Sequence, residues 1–212
     1  LSDAAEEVLS AAEQGTIVVD LTTASSQAKA ESAEKALAKG TTYLDVAING
    51  AVALTGVQTP LLIAGSFPTV LRELLDQMGV PYSLLQNSAP GDAIRVKLFR
   101  SILTKGIEAL AVEVLPVAHQ TGNLEQLLDA LADVDKRPFS DLLRSMVSTQ
   151  PKHAERRLNE VLAAQRQITE VGPAIVTPAV AERYRTTTLR TNMQELPSAP
   201  TFEEALKLLH GK

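Results

Sequence analysis

Four short runs rich in β-branched and apolar residues are interleaved with helix-length stretches over the first 88 residues, and beyond residue 91 such runs stop. The runs are Thr16–Asp20, Thr42–Ala47, Leu61–Gly65 and Tyr82–Leu85. Before and between them lie Leu1–Gln14, Ser25–Lys39 and Phe67–Met78, helical in pattern and closed by Gly15, Gly40 and Gly79, glycine being a common residue just past a helix end. Strands alternating with helices of this length predict α/β packing on a mostly parallel sheet. Gln86–Gly91 is a turn-rich boundary. After it, helical patterns cover Asp92–Gln120, Asn123–Leu131, Ser140–Val147, Pro151–Thr169, Pro178–Thr191 and Phe202–Leu209, punctuated by Pro138, Pro151, Pro173, Pro178, Pro197 and Pro200. The predicted architecture is α/β over residues 1–90, followed by all-α over residues 91–212.

Composition narrows the chemistry. The chain has no cysteine, which excludes disulfides, zinc–thiolate sites and a cysteine nucleophile, and fits a reducing cytoplasm. A net charge of −5 with 3% aromatic residues is a poor footprint for nucleic acid. The most apolar stretch, Val46–Gly65, is interrupted by Asn49, Thr55, Gln58 and Thr59 and is no bilayer span. His119, His153 and His210 are scattered without metal-ligand spacing. The first residue is leucine and the N-terminus lacks the positive start of a signal peptide. The simplest account of this start is that the residues belong to a longer chain.

The long helical stretch carries the sharpest pattern. From Lys97 to Glu108 the polar residues are Lys97, Arg100, Ser101, Thr104, Lys105 and Glu108, which share one helix face. Every other position is apolar or glycine. This reads as a helix buried on most of its circumference, with a narrow cationic stripe. An anionic ligand would balance the stripe. Solvent, or carboxylates from elsewhere in the fold, would do so equally well.

The motifs Val18–Thr23, Tyr43–Ala51 and Thr59–Gly65, followed by Gly91 leading to Lys97, together resemble the β-hydroxyacid dehydrogenases, which include the 3-hydroxyisobutyrate and 6-phosphogluconate dehydrogenases. The stretches Lys97–Gly106 and His153–Arg157 resemble a branch with a distinct helical C-terminal domain. The resemblance implies a partial Rossmann-type parallel sheet plus a helical C-terminal domain. On that reading residues 1–90 are the second half of a dinucleotide-binding domain, and residues 91–212 serve substrate binding and homodimerisation. It also implies NAD or NADP as cofactor and oxidation of a small anionic hydroxy acid. Lys97 takes the acid/base position. Thr22 and Thr23 fall by the nicotinamide end of the cofactor, or else cap the next helix as Ser25 and Ser26 could. Asn49, Gly50 and Ala51 fall where the family has a substrate-carboxylate loop, or else form a tight turn. Arg100, Ser101 and Lys105 line the anionic substrate, with Ser101 standing where the family has asparagine.

One departure is larger. No two glycines are separated by a single residue, so no G-x-G-x-x-G fingerprint can be written. Two readings follow: an NAD(P)-dependent oxidoreductase whose fingerprint lies upstream, or a redox-inactive dimerising or anion-binding module of the same descent. His153, Arg156, Arg157 and Glu160 share a second helix face. It could hold another anionic group, though a solvated surface explains it as well.

Overall fold

The computed structural model describes residues 2–191 and 200–210; Leu1 and Pro197, used above, lie outside them. The chain divides into two compact units, Leu1–Lys105 and Gly106–Lys212.

The first unit runs α1 (Ser2–Ala11), β1 (Ile17–Asp20), α2 (Ser26–Ala38), β2 (Thr42–Ile48), α3 (Val52–Thr55) with a 3-10 turn at Gly56–Gln58, β3 (Leu61–Ala64), α4 (Thr69–Gln77), β4 (Tyr82–Leu84) and the start of α5 (Asp92–Gln120). The sheet order is β1-β2-β3-β4. β1 and β2 are parallel, as are β3 and β4, each pair joined through a helix. β2 and β3 are antiparallel, with Asp45 opposite Ala64. The reason is connection length: the short segment between Ile48 and Leu61 lets the chain double back, whereas a parallel neighbour needs a full crossover.

β2 is buried on both faces. Leu44 and Val46 pack with Ile63 and Leu75, while Ala47 packs with Leu62, Ala64 and Ala93. Alanines on that second face let the first turn of α5 approach, and Ala93 and Ile94 are fully buried there. Gly91 makes the approach feasible. Its φ is +101°, and a Cβ on it would stand 2.5 Å from the carbonyl oxygen of Ser26.

After that first turn α5 departs from the sequence expectation. Phe99, Ile102 and Leu103 are 62%, 67% and 51% exposed, so the helix is not buried on most of its circumference. Its contact with the sheet is confined to its start, its middle is exposed, and it is covered again toward its end, where Ala118 is buried.

The second unit continues with α6 (Leu124–Ala130), a 3-10 segment at Leu131–Lys136, α7 (Phe139–Val171), α8 (Thr177–Thr191) and α9 (Phe202–His210). α7 packs against α8 and α9, with Leu142, Ala154, Ile168, Ala181 and Ala205 buried. Pro151 was expected to separate two helices; instead it lies inside the continuous α7 and is buried. Proline costs a helix one hydrogen bond. Packing of both flanking segments against α8 and α9 outweighs that local loss. His210 closes α9. Among the described residues no helix is long and apolar enough to cross a membrane.

Candidate active site

The loop after β1 meets α5 in the first unit. Asp20, the last residue of β1, is buried. Its Oδ1 accepts the Thr22 N–H at 2.8 Å, which turns the chain out of the strand. Ser25 is the N-cap of α2, its hydroxyl accepting the Ala28 N–H at 3.1 Å. Capping is therefore done without Thr22 or Thr23. Thr22 Oγ1 is buried with no hydrogen-bond partner. Thr23 Oγ1 accepts a hydrogen bond from Lys97 Nζ at 3.3 Å. Residues 74 positions apart, each singled out from sequence, thus meet.

A buried polar cluster joins β2, α2 and the start of α5. Asp45, fully buried in β2, accepts three N–H groups from the start of α5 on its Oδ2: Gly91 at 2.9 Å, Ala93 at 3.0 Å and Ile94 at 3.2 Å. A carboxylate here satisfies orphan donors and sits at the positive end of the helix dipole. Its Oδ1 is ion-paired with Lys29 Nζ of α2 at 2.8 Å. Lys29 is fully buried, donates to the Asp20 carbonyl at 2.9 Å and lies 3.6 Å from Asp20 Oδ1. The Tyr43 hydroxyl donates to Asp20 Oδ2 at 2.5 Å. Desolvation pushes the Asp20 carboxyl up, but hydrogen bonds from Tyr43 and Thr22 and the charge of Lys29 outweigh it and hold the carboxyl below its ordinary value. Desolvation, followed by the hydrogen bond to and charge of Asp20, raises the Tyr43 phenol far above its own ordinary value.

The sequence reading missed Asp20, Lys29 and Asp45. A signal was present: Asp45 is charged in the middle of the apolar run Tyr43–Ala47, where only a paired carboxylate is tolerated.

Along α5, Ser101 is half-buried and Arg100 and Lys105 are exposed. Among the described residues none of Lys97, Arg100 or Lys105 is ion-paired to a carboxylate. The stripe therefore keeps its positive excess. Asn49, Gly50 and Ala51 follow β2 at the same sheet edge as the β1 loop, because β1 and β2 are parallel. The Asn49 N–H bonds the Pro60 carbonyl at 2.8 Å, and a Cβ on Gly50 would press on Thr59 at 3.1 Å. No hydrogen bond links these three residues to Lys97 among the described residues. On α7, Arg156 pairs with Glu160 at the exposed surface, and Arg157 donates to Thr149 Oγ1 at 2.8 Å. Both arginines thus have partners on their own helix.

In the second unit, Glu113 on α5 accepts the N–H groups of Ile175, Val176 and Thr177 and the Thr177 hydroxyl, capping α8 from another helix. Desolvation raises this carboxyl, but the Thr177 hydroxyl and the three N–H groups hold it down at about 2.

Residues 1–82 match the family described as the NAD binding domain of 6-phosphogluconate dehydrogenase. That match covers the α/β part, which carries the motifs that resemble the β-hydroxyacid dehydrogenases. Residues 118–187 match the Domain of unknown function (DUF1932), so the family's sheet is here joined to a distinct helical part. An uncharacterized 28.5 kDa protein of Methanothermus fervidus is 32% identical over 96 residues, covering 45% of this chain and 38% of that protein. This chain therefore spans about two fifths of that curated relative. The conserved protein MTH1747, described as structurally similar to 3-hydroxyacid dehydrogenases, matches at 24% identity and a TM-score of 0.54 over 92% of this chain and 73% of its own. An imine reductase from Aspergillus terreus in complex with NADPH4 matches at 16% identity and a TM-score of 0.72, over 89% and 70%. These likenesses establish the fold.

The residues present fit one end of a dinucleotide. Thr22 Oγ1 is a buried, unsatisfied hydroxyl in the loop at the carboxyl end of a parallel strand, where α/β sheets bind their ligands. No glycine fingerprint can be written in this sequence, so the fit does not include a pyrophosphate cradle.

Proposed function

We propose that this chain carries the proton-transfer and substrate-holding part of an NAD(P)-dependent oxidoreductase acting on a small anionic hydroxy acid. The observation that carries the reading is the contact of Lys97 Nζ with Thr23 Oγ1, which supports it by joining the two residues that the resemblance assigns to acid/base work and to the cofactor. NAD or NADP, when bound, supplies the hydride acceptor or donor. Lys97 takes the proton from the substrate hydroxyl as that carbon becomes a carbonyl, and returns it in reduction; such positioned acid/base groups contribute roughly 10²–10⁴-fold. Thr23 holds the Lys97 amine toward the loop. The unpaired charges of Arg100 and Lys105, with the Ser101 hydroxyl, hold the substrate carboxylate, since a guanidinium can grip it with two parallel hydrogen bonds. Asn49, Gly50 and Ala51 complete the carboxylate end of the site. Homodimerisation uses the uncovered apolar side of α5.

The test is a panel of lactate, 3-hydroxyisobutyrate and 6-phosphogluconate with NAD and NADP, followed at 340 nm on the full-length protein. Lys97→Met should lower kcat on the best panel substrate about 100-fold or more while leaving NADPH binding, read by fluorescence, within about threefold. Unchanged turnover in Lys97→Met removes the assignment. Saturable NADPH binding with no turnover of any acid in the wild-type protein favours the redox-inactive reading.

A further inference from the structure

We propose that Lys29 is a positioning residue: its buried ammonium joins the two segments that carry Thr23 and Lys97 and so fixes the placement of the Lys97 amine. This rests on the reading of Lys97 as the acid/base group.

Lys29 is a fully buried lysine on an alanine-rich helix. A buried ammonium is costly unless it is paired, so its partners define its purpose. On one side it is paired with Asp45 at 2.8 Å, the carboxylate that gathers the N–H groups of Gly91, Ala93 and Ile94. Lys97 lies one turn beyond Ile94 on that rigid helix, so moving Asp45 moves Lys97. On the other side Lys29 donates to the Asp20 carbonyl at 2.9 Å, where the strand turns into the Thr22–Thr23 loop under the Asp20–Thr22 hydrogen bond. The path from helix to loop thus runs Asp45, Lys29, Asp20, Thr22, and the contact of Lys97 with Thr23 closes the ring. The backbone fit of Gly91 against Ser26 leaves little slack beside it.

A purely hydrophobic filler would pack this interior at least as stably, which leaves orientation as what the charge adds. Loss of Lys29 frees the loop and the start of α5 to move apart, and the Lys97–Thr23 contact opens.

The experiment compares full-length Lys29→Met and Asp45→Asn with Leu75→Ala, a core truncation in α4 that packs on the face of β2 opposite Asp45. Asp45→Asn keeps an oxygen acceptor for the α5 N–H groups and replaces the oxygen facing Lys29 with an amide NH2, which breaks the Asp45–Lys29 pair. The first readout needs no cofactor: the rate of reductive methylation of Lys97 by formaldehyde and a borane, followed by peptide mass spectrometry. The second is the split between kcat and KM for the dinucleotide on the best panel substrate. Both charge variants should speed Lys97 methylation at least threefold and lower kcat tenfold or more, with KM within threefold. Leu75→Ala should change neither, even at an equal loss in melting temperature. Methylation and kcat in the charge variants matching those of Leu75→Ala overturn the proposal. If Lys29→Met does not fold, Asp45→Asn decides. Normal turnover in Lys97→Met would remove the acid/base reading, and methylation would still report whether Lys29 places Lys97.

Discussion

Single side chains in this protein work by where their partners come from. Glu113 caps α8 although it lies about 60 residues upstream on a different helix. Its carboxyl is held at about 2 against an ordinary value of 4.5, so the native state binds its proton more weakly than the unfolded chain does. The stabilisation is complete above about pH 4.5 and drains away as pH falls toward 2. Glu113→Gln should cost about 1–2 kcal/mol at pH 7, the range of a lost cap. The variant and wild type should converge in stability as urea titrations are taken from pH 5 to pH 3. A constant gap across that range would contradict the assignment. Lys97 shows the complementary case: its face and its cationic company are plain in the sequence, whereas the Thr23 hydroxyl it meets is 74 residues away.

At the scale of elements, two backbone features decide helix placement. Gly91→Ala meets both a left-handed φ and the carbonyl oxygen of Ser26 at 2.5 Å. It should cost about 2 kcal/mol or more in chemical denaturation, because neither backbone segment can yield as a side chain would. Pro151 is the reverse. It sits inside α7, where an alanine would restore a hydrogen bond, and its helix penalty is about 3 kcal/mol in an exposed setting. Burial of the ring offsets part of that, so Pro151→Ala should raise stability by about 1 kcal/mol in the same measurement. A loss would mean that the ring's packing outweighs the missing bond. Sequence punctuation placed a break here because it registers the absent donor and not the neighbours α8 and α9 that hold both halves in line.

At the scale of the whole molecule, the apolar side of α5 is the exposed feature that most needs a partner. Phe99, Ile102 and Leu103 lie uncovered, and patches of this kind mark interaction sites. With homodimerisation as the proposal, Ile102→Asp should convert a dimer to a monomer by light scattering while the first unit stays folded by circular dichroism. A dimer that persists would place the interface elsewhere. Local pattern alone determined the division into an α/β part and a helical part, the positions of the strands, the full span of α5 and its cationic stripe, because strand and helix periods and glycine stops are properties of neighbouring residues. It also carried the motifs on which the family resemblance rests. Tertiary structure alone decided that the middle of α5 is exposed, that α7 runs through Pro151, that β2 and β3 are antiparallel, and that Asp20, Lys29 and Asp45 form one buried cluster. Each of these depends on which distant groups share a dry interior: a charge is tolerated there only when a partner arrives from another strand or helix, and no stretch of sequence records that meeting.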